Sequence, residues 1–251
     1  MPNEKKKLKA ILFDKDGTLF DYSRVWFDVL KNSVNYVFEL EGRQDEEENK
    51  KKFLTLMGLD SNGKTISTGA IFSHNKINIF KSGVQLCFST KMKPTTLVRM
   101  INEIMDHNDK CISNQLEKID FTKQQEFFKD LKSIGYTLGI ITVDRRVSLD
   151  IFLEDMGIKK YFDYTSCKDD HLPNKPNPKS FLEFCEKFNF EPEEVAFVGD
   201  TTIDMKFAKK AKAGLKIGVL WGGYGRTELE PVADKVYDTL FDLRKDTTIY
   251  N

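Results

Sequence analysis

Lys9–Tyr22 reads KAILFDKDGTLFDY. Ala10–Phe13 form a short apolar run suited to a buried strand, and polarity changes abruptly at Asp14. Asp14 and Asp16 stand two residues apart and are followed at once by Gly17 and Thr18. Residues i and i+2 of an extended backbone face the same side, so both acids can converge on one point at the strand's end. Open parallel α/β sheets bind ligands at the carboxyl ends of their strands. Paired carboxylates repel unless a cation or a shared proton relieves them, and a hard divalent ion such as Mg²⁺ suits oxygen donors. By itself DKDG also reads as a surface turn. An EF-hand loop is excluded: with Gly17 at its invariant glycine, Leu12 and Ser23 would occupy positions that need carboxylates.

Outward from this stretch, the 251-residue chain is long enough for one large domain or two modest ones. Its 40 % hydrophobic content and 20 Phe support a packed core. Lys+Arg and Asp+Glu balance at 39 each, so no global field points to nucleic acid or membrane. The apolar run after the basic N-terminus stops at Asp14, too short for a signal peptide or a membrane span. Cys87, Cys111, Cys167 and Cys185 lack metal-type spacing and read as ordinary buried thiols, and His74, His107 and His171 are isolated. A soluble cytoplasmic protein, monomer or homodimer, is expected.

Apolar positions Tyr22, Val25, Trp26, Val29, Ser33, Tyr36, Val37 and Leu40 step by three or four and predict an amphipathic helix from Asp21 to about Leu40. Glu41–Lys52 is a solvated charge run leading into helix at Phe53–Met57, and Gly58–Gly69 reads as a long loop or small hairpin. After Pro94, Leu97, Val98, Ile101, Ile104 and Met105 predict another helix. From Phe121 onward, strands alternate with helices. Strand runs are read at Tyr136–Ile141, near Tyr161–Tyr164, and at Val195–Val198, Ile217–Leu220 and Val236–Tyr237. This alternation predicts an α/β core, a parallel sheet with helices on both faces. The core comprises residues 1–19 and 117–251, and an all-helical second domain over residues 20–116 is inserted after the first strand.

The expected strand ends carry polar residues: Asp14 and Asp16, then Thr142, then Asp200 with Asp204 four positions on. Lys175 lies between the last two, in the loop Asn174-Lys175-Pro176-Asn177-Pro178. Singly these have plain explanations, with Thr142, Thr202 or Asp200 as helix caps and Lys175 as a loop lysine. Together they supply what phosphoryl transfer needs: a carboxylate nucleophile, and Mg²⁺ and lysine to neutralise phosphate.

At this point the sequence resembles the haloacid dehalogenase superfamily. FDKDGTL looks like its first motif, Thr142 its second, Lys175 in NKPNPKSF its third and VGDTTIDM its fourth. The insert just after the first motif resembles the C1-capped subgroup, within which GYTLGIIT, KPNPKSF and VLWGGYG look most like phosphoglycolate phosphatases.

The resemblance implies a Rossmann-like core with a helical cap and a Mg²⁺-dependent phosphatase acting on a small phosphorylated metabolite. Asp14 would be the nucleophile that forms an aspartyl-phosphate, and Asp16 the general acid and base. Asp14, the main-chain carbonyl of Asp16, and Asp200 would hold Mg²⁺. Thr142, Val143 and Lys175 would bind the phosphoryl group, and Asp204 would orient Lys175 or a metal-bound water. Val143-Asp144 departs from the family pattern, where Asn often follows the threonine. Arg24 is the candidate for meeting a substrate carboxylate, through its bidentate fork, while Trp26 falls on the apolar stripe of the insert. WGGYG lacks the spacing of a dinucleotide fingerprint and reads as a loop. A sugar-phosphate mutase of the β-phosphoglucomutase type shares every core motif, and a non-catalytic binding or regulatory protein on the same fold is the alternative from another class.

Overall fold

The computed structural model describes residues 6–59 and 76–250. Side chains at 22–25, 76–80, 82, 105, 108–111 and 113–115 fall outside the description, as does the Gly58–Gly69 stretch beyond Leu59. The strands are β1 Ala10–Phe13, β2 Thr137–Ile141, β3 Tyr164–Ser166, β4 Val195–Gly199, β5 Leu215–Val219 and β6 Lys235–Tyr237. The principal helices are α1 Tyr22–Leu40, α2 Glu47–Met57, α3 Lys76–Thr90, α4 Pro94–Leu116, α5 Thr122–Ile134, α6 Arg146–Asp155, α7 Lys179–Phe188 and α8 Thr202–Ala211. The chain divides into two compact units, Met1–Asp21 with Ile119–Asn251, and Tyr22–Lys118.

All six strands pair in parallel in the order β3-β2-β1-β4-β5-β6. β1 is central and fully buried, which explains why its sequence is a continuous apolar run rather than an alternation. Successive residues point to opposite faces. Leu12 and Ala10 join Phe181 and Phe184 of α7 and Phe207 and Ala208 of α8 in one buried cluster. Phe13, facing the other way, meets Phe128 of α5 edge-on with ring centres 5.4 Å apart. Helices therefore cover both faces.

Register then places the site. Phe13 lies level with Ile140 of β2 and Val198 of β4, so the next residues of all three strands emerge along one edge. The chain leaves β1 for β2 and β3 on one side and returns to β4 on the other. The strand order thus reverses between β1 and β4, where such sheets open a ligand crevice.

Several elements differ from expectation. The strand read near Tyr161–Tyr164 begins only at Tyr164, because Lys159–Tyr161 coil into one 3₁₀ turn. β5 starts two residues before the expected Ile217, its half-buried Lys216 reaching Asp234 at 2.7 Å. The buried face of α1 is rotated from the expected stripe: Trp26, Val29, Leu30, Ser33, Val34, Val37 and Phe38 are inside, and Tyr36 and Leu40 are exposed. Leu30, Val34 and Phe38 take inner positions, as a wider i+3/i+4 face allows. Ser33 bonds His107 Nδ1 at 2.9 Å and Tyr36 stacks on that ring, so His107 is a packing residue with partners of its own. Helix α3 had no counterpart in the sequence reading. Cys87 is only half-buried, whereas Cys167 and Cys185 are buried. No described helix is long and apolar enough to cross a membrane.

Candidate active site

Asp14 follows β1 directly, its N–H donating to the Val198 carbonyl at 2.9 Å, so the sheet ladder itself sets its position. Asp200 follows β4, and Asp204 sits in the first turn of α8. One carboxylate oxygen from each of Asp14, Asp200 and Asp204 lies within 4.8 Å of the others, and all three residues are buried. The Lys175 ammonium donates to Asp14 Oδ1 at 2.5 Å and to Asp204 Oδ1 at 2.6 Å, with only 3 % of its side chain exposed. The structure thus brings Asp14, Lys175, Asp200 and Asp204 together.

Asp204 does double work. Thr201, not Thr202 or Asp200, caps α8: its hydroxyl accepts the Asp204 N–H, while Asp204 Oδ2 accepts from both the Thr201 N–H and hydroxyl. This reciprocal box fixes Asp204 so that its other oxygen faces Lys175. Thr142, 4 % exposed, extends the β2 ladder through its N–H to the Ser166 carbonyl, and its hydroxyl accepts the Asp144 N–H at 3.1 Å. It does not cap α6, whose N-cap position is Arg145. Val143 is half-buried in the turn that follows Thr142. Arg24 lies in the first turn of α1, and its side chain is outside the described ones.

Burial, reinforced by the neighbouring Asp204 and Asp16 carboxylates, pushes the Asp14 carboxyl up to about 7 despite the opposing Lys175. Burial, with Asp14 and Asp204 beside it, likewise raises Asp200 well above the ordinary carboxylate range. For Lys175 burial opposes the charge, but Asp14 and Asp204 outweigh it and hold the ammonium protonated. Fully ionised, three carboxylates would exceed one ammonium by two negative charges in a buried crevice of hard oxygen donors. That donor set fits a divalent cation of the Mg²⁺ type. The carboxylate trio differs from the expected metal set in containing Asp204; Asp16, expected to contribute through its main-chain carbonyl, has its side chain bound elsewhere.

Two residues passed over in the sequence reading belong to the site's construction. Lys15 is fully buried and its ammonium lies 2.9 Å from both Asp16 Oδ1 and Asp144 Oδ2. A lysine with no exposed surface in the midst of two acids is the signal, but it needs the fold to be seen. Gly222 is the second. Trp221 packs edge-on against Phe241 at 5.2 Å, and at the next residue a Cβ would fall 1.7 Å from Asp200 Oδ2. Gly17, in the left-handed region at φ +73°, would bring a Cβ to 2.6 Å from the same oxygen and 2.7 Å from the Gly222 Cα. Asp200 is therefore seated between two glycine backbones. The signal available in the sequence was a Gly pair just beyond a strand's carboxyl end.

Gly222→Ala should displace Asp200 without unfolding the chain, lowering Mg²⁺ affinity on the order of 10–100-fold, the usual range for residues that support metal ligands. Calorimetric titration with Mg²⁺ alongside far-ultraviolet circular dichroism checks this, and wild-type affinity in the variant would refute it. A second expectation concerns pH. In the metal-free fold the Asp14 carboxyl keeps its proton up to about 7, against the usual 3.8. Between these values the folded state binds a proton that the unfolded state has lost, so stability falls as pH rises through the window. Asp14→Asn escapes that loss. In a chelator its Tm should approach the wild-type value near pH 4.5 and exceed it at pH 8 by about 3–6 °C, the span of 1–2 kcal/mol in a chain of this size. A gap that fails to widen would mean that Asp14 is ionised throughout.

Comparison with known proteins agrees with this architecture. Residues 11–217 match the family model described as haloacid dehalogenase-like hydrolase. The chain is 25 % identical over 239 residues to the pyrophosphatase PpaX of Bacillus mycoides, covering 94 % of this chain and 95 % of that protein. It is 24 % identical over 242 residues to the phosphoglycolate phosphatase of Salmonella typhi, covering 96 % and 93 %. A haloacid dehalogenase-like family hydrolase from Streptococcus pneumoniae superposes with a TM-score of 0.61 at 19 % identity, over 95 % of this chain and 97 % of that one. With the match to the family model spanning most of its length, from the first strand through β5, the chain belongs to the haloacid dehalogenase-like hydrolases.

Proposed function

We propose that the chain is a Mg²⁺-dependent phosphatase that cleaves a small phosphate monoester, phosphoglycolate-like in size, through an aspartyl-phosphate on Asp14. The observation that carries this reading is the buried Lys175 ammonium bound to Asp14 and Asp204 at the switch point of the sheet. Lys175 orients the Asp14 carboxylate and offers positive charge where phosphoryl oxygens would lie. An Asp14 oxygen attacks phosphorus, the bond from phosphorus to the alcohol oxygen breaks, and that oxygen takes a proton from Asp16. Water then attacks the aspartyl-phosphate, gives a proton to Asp16, and releases phosphate with Asp14 restored. Thr142 and the Val143 N–H contribute hydrogen bonds to the phosphoryl oxygens, and Asp204 keeps Lys175 in place. Mg²⁺, held by Asp14, Asp200 and the Asp16 main-chain carbonyl, would neutralise charge on the transferred group.

A phosphoanhydride is the second substrate class to weigh, because a pyrophosphatase relative aligns over nearly as much of this chain as the phosphoglycolate phosphatase does. The test is phosphate release from phosphoglycolate, pyrophosphate, a hexose phosphate and p-nitrophenyl phosphate, each with Mg²⁺ and with chelator. Hydrolysis should require Mg²⁺ and vanish in Asp14→Asn. Lys175→Ala should lose on the order of 10²-fold or more in rate, whereas the exposed Lys168 and Lys179 should tolerate alanine. Normal turnover by folded Asp14→Asn would replace the covalent route with direct attack by water, and equal losses from all three lysines would indicate a diffuse basic surface. Transfer of the phosphoryl group to a sugar in place of water would identify a mutase.

A further inference from the structure

We propose that Lys15 is a positioning residue that holds the Asp16 carboxyl in place for proton delivery, with Asp144 as its anchor; this rests on the phosphatase reading above. Lys15 follows the nucleophile, yet the proposed chemistry makes no use of it. Its side chain is 0 % exposed, and its ammonium bridges Asp16 Oδ1 and Asp144 Oδ2 at 2.9 Å each. The same nitrogen sits 3.9 Å from the centre of the Phe152 ring and 5.9 Å from that of Phe20, and the two rings stack with centroids 4.8 Å apart. An ammonium stripped of water costs several kcal/mol unless opposing charges compensate, so the two carboxylates and the aromatic floor are conditions of its burial.

Asp144 is itself tied down. Its Oδ2 accepts from the Ser148 hydroxyl at 2.6 Å and its Oδ1 from the Arg145 N–H at 2.8 Å, fixing it to the start of α6. Asp144 is thus held by contacts of its own, and Lys15 passes that restraint on to Asp16. With Oδ1 of Asp16 engaged by Lys15, its carboxyl cannot swing freely about its own side-chain bonds. The Val143-Asp144 pair that departs from the family pattern thereby acquires a role: the acid in it binds the lysine of DKDG. Lys15 itself transfers no proton.

A positioning role has a signature that loss of structure does not share. Phenyl phosphate releases an ordinary phenol, with a pKa of about 10, and needs a proton on its leaving oxygen. p-Nitrophenyl phosphate is nearly the same size, and its leaving group departs without one. In Lys15→Met, kcat for phenyl phosphate should fall at least about tenfold further than kcat for p-nitrophenyl phosphate, a part of the 10²–10⁴-fold that a general acid supplies. Asp144→Asn should show the same imbalance to a smaller degree. In an Asp16→Asn background Lys15→Met should add no further imbalance, since the two act through one group.

Equal falls on both esters, or no fall, in Lys15→Met would overturn the assignment while leaving the phosphatase reading intact. So would a further imbalance added by Lys15→Met in the Asp16→Asn background. Should Lys15→Met fail to fold, Asp144→Asn decides by the same comparison. A wild-type protein inactive on both esters and on every phosphate of the panel above would remove the phosphatase reading and this assignment with it.

Discussion

A single buried cation governs the arrangement of acids at the sheet's edge. Asp14, Asp200 and Asp204 are all out of water and within 4.8 Å of one another, a grouping that mutual repulsion and desolvation both oppose. Lys175 makes it tolerable by sharing one ammonium between Asp14 and Asp204. It offsets only part of the charge, which is why Asp14 and Asp200 are still pushed upward and why the donor set fits a further cation. Lys15 repeats the pattern on a smaller scale, one buried ammonium between Asp16 and Asp144. The crevice is therefore built from two lysines that each bind a pair of acids, one pair at Asp14 and one beside it.

What allows such charge to be concentrated is the sheet beneath it. Ala10–Phe13 have no exposed surface, and their register with β2 and β4 brings Asp14, Thr142 and Asp200 to one edge without any of them needing a long loop. The phenylalanine-rich faces, Phe181, Phe184 and Phe207 on one side and Phe128 on the other, supply the burial that holds the strands level. Precision at the site is thus inherited from hydrogen bonds and packing several residues away.

Much of this was legible in the sequence, for a physical reason. A strand buried on both faces must be apolar throughout, so Ala10–Phe13 and Val195–Val198 announced themselves, and the polarity break after each marked the site. Spacing marked Asp14 and Asp16 as a pair but not their separate partners, Lys175 for one and Lys15 for the other. Lys175 was legible only jointly with the strand-end acids, since a lysine in a Pro-rich loop looks the same whether it is solvated or buried. The α1 stripe was misjudged because Tyr36 and Leu40 fit the period as well as Leu30 and Phe38 do; what covers a helix face decides between them. Tyr161–Tyr164 was rich enough in aromatics to suggest strand, yet local coiling won. Lys15 and Gly222 escaped because their meaning lies across the fold, in Asp144 and Phe152 for one and in Asp200 for the other. Neither relation is encoded in a local pattern.

The place of the helical insert has a consequence for how the chain must be made. Among the described strands β1 is made first, and it lies in the middle of the finished sheet, yet the whole of Tyr22–Lys118 is synthesised before Thr137, the first residue that can pair with Ala10. Its other neighbour, Val195, comes later still. Until then the most apolar strand of the protein has two open edges and no partner, the condition under which nascent chains are prone to pair with one another. The insert is compact in its own right and can mature during that interval. The core closes after the insert, around a strand made before it, so chaperone demand and yield on expression should be set by the waiting time of β1 rather than by the stability of the finished fold.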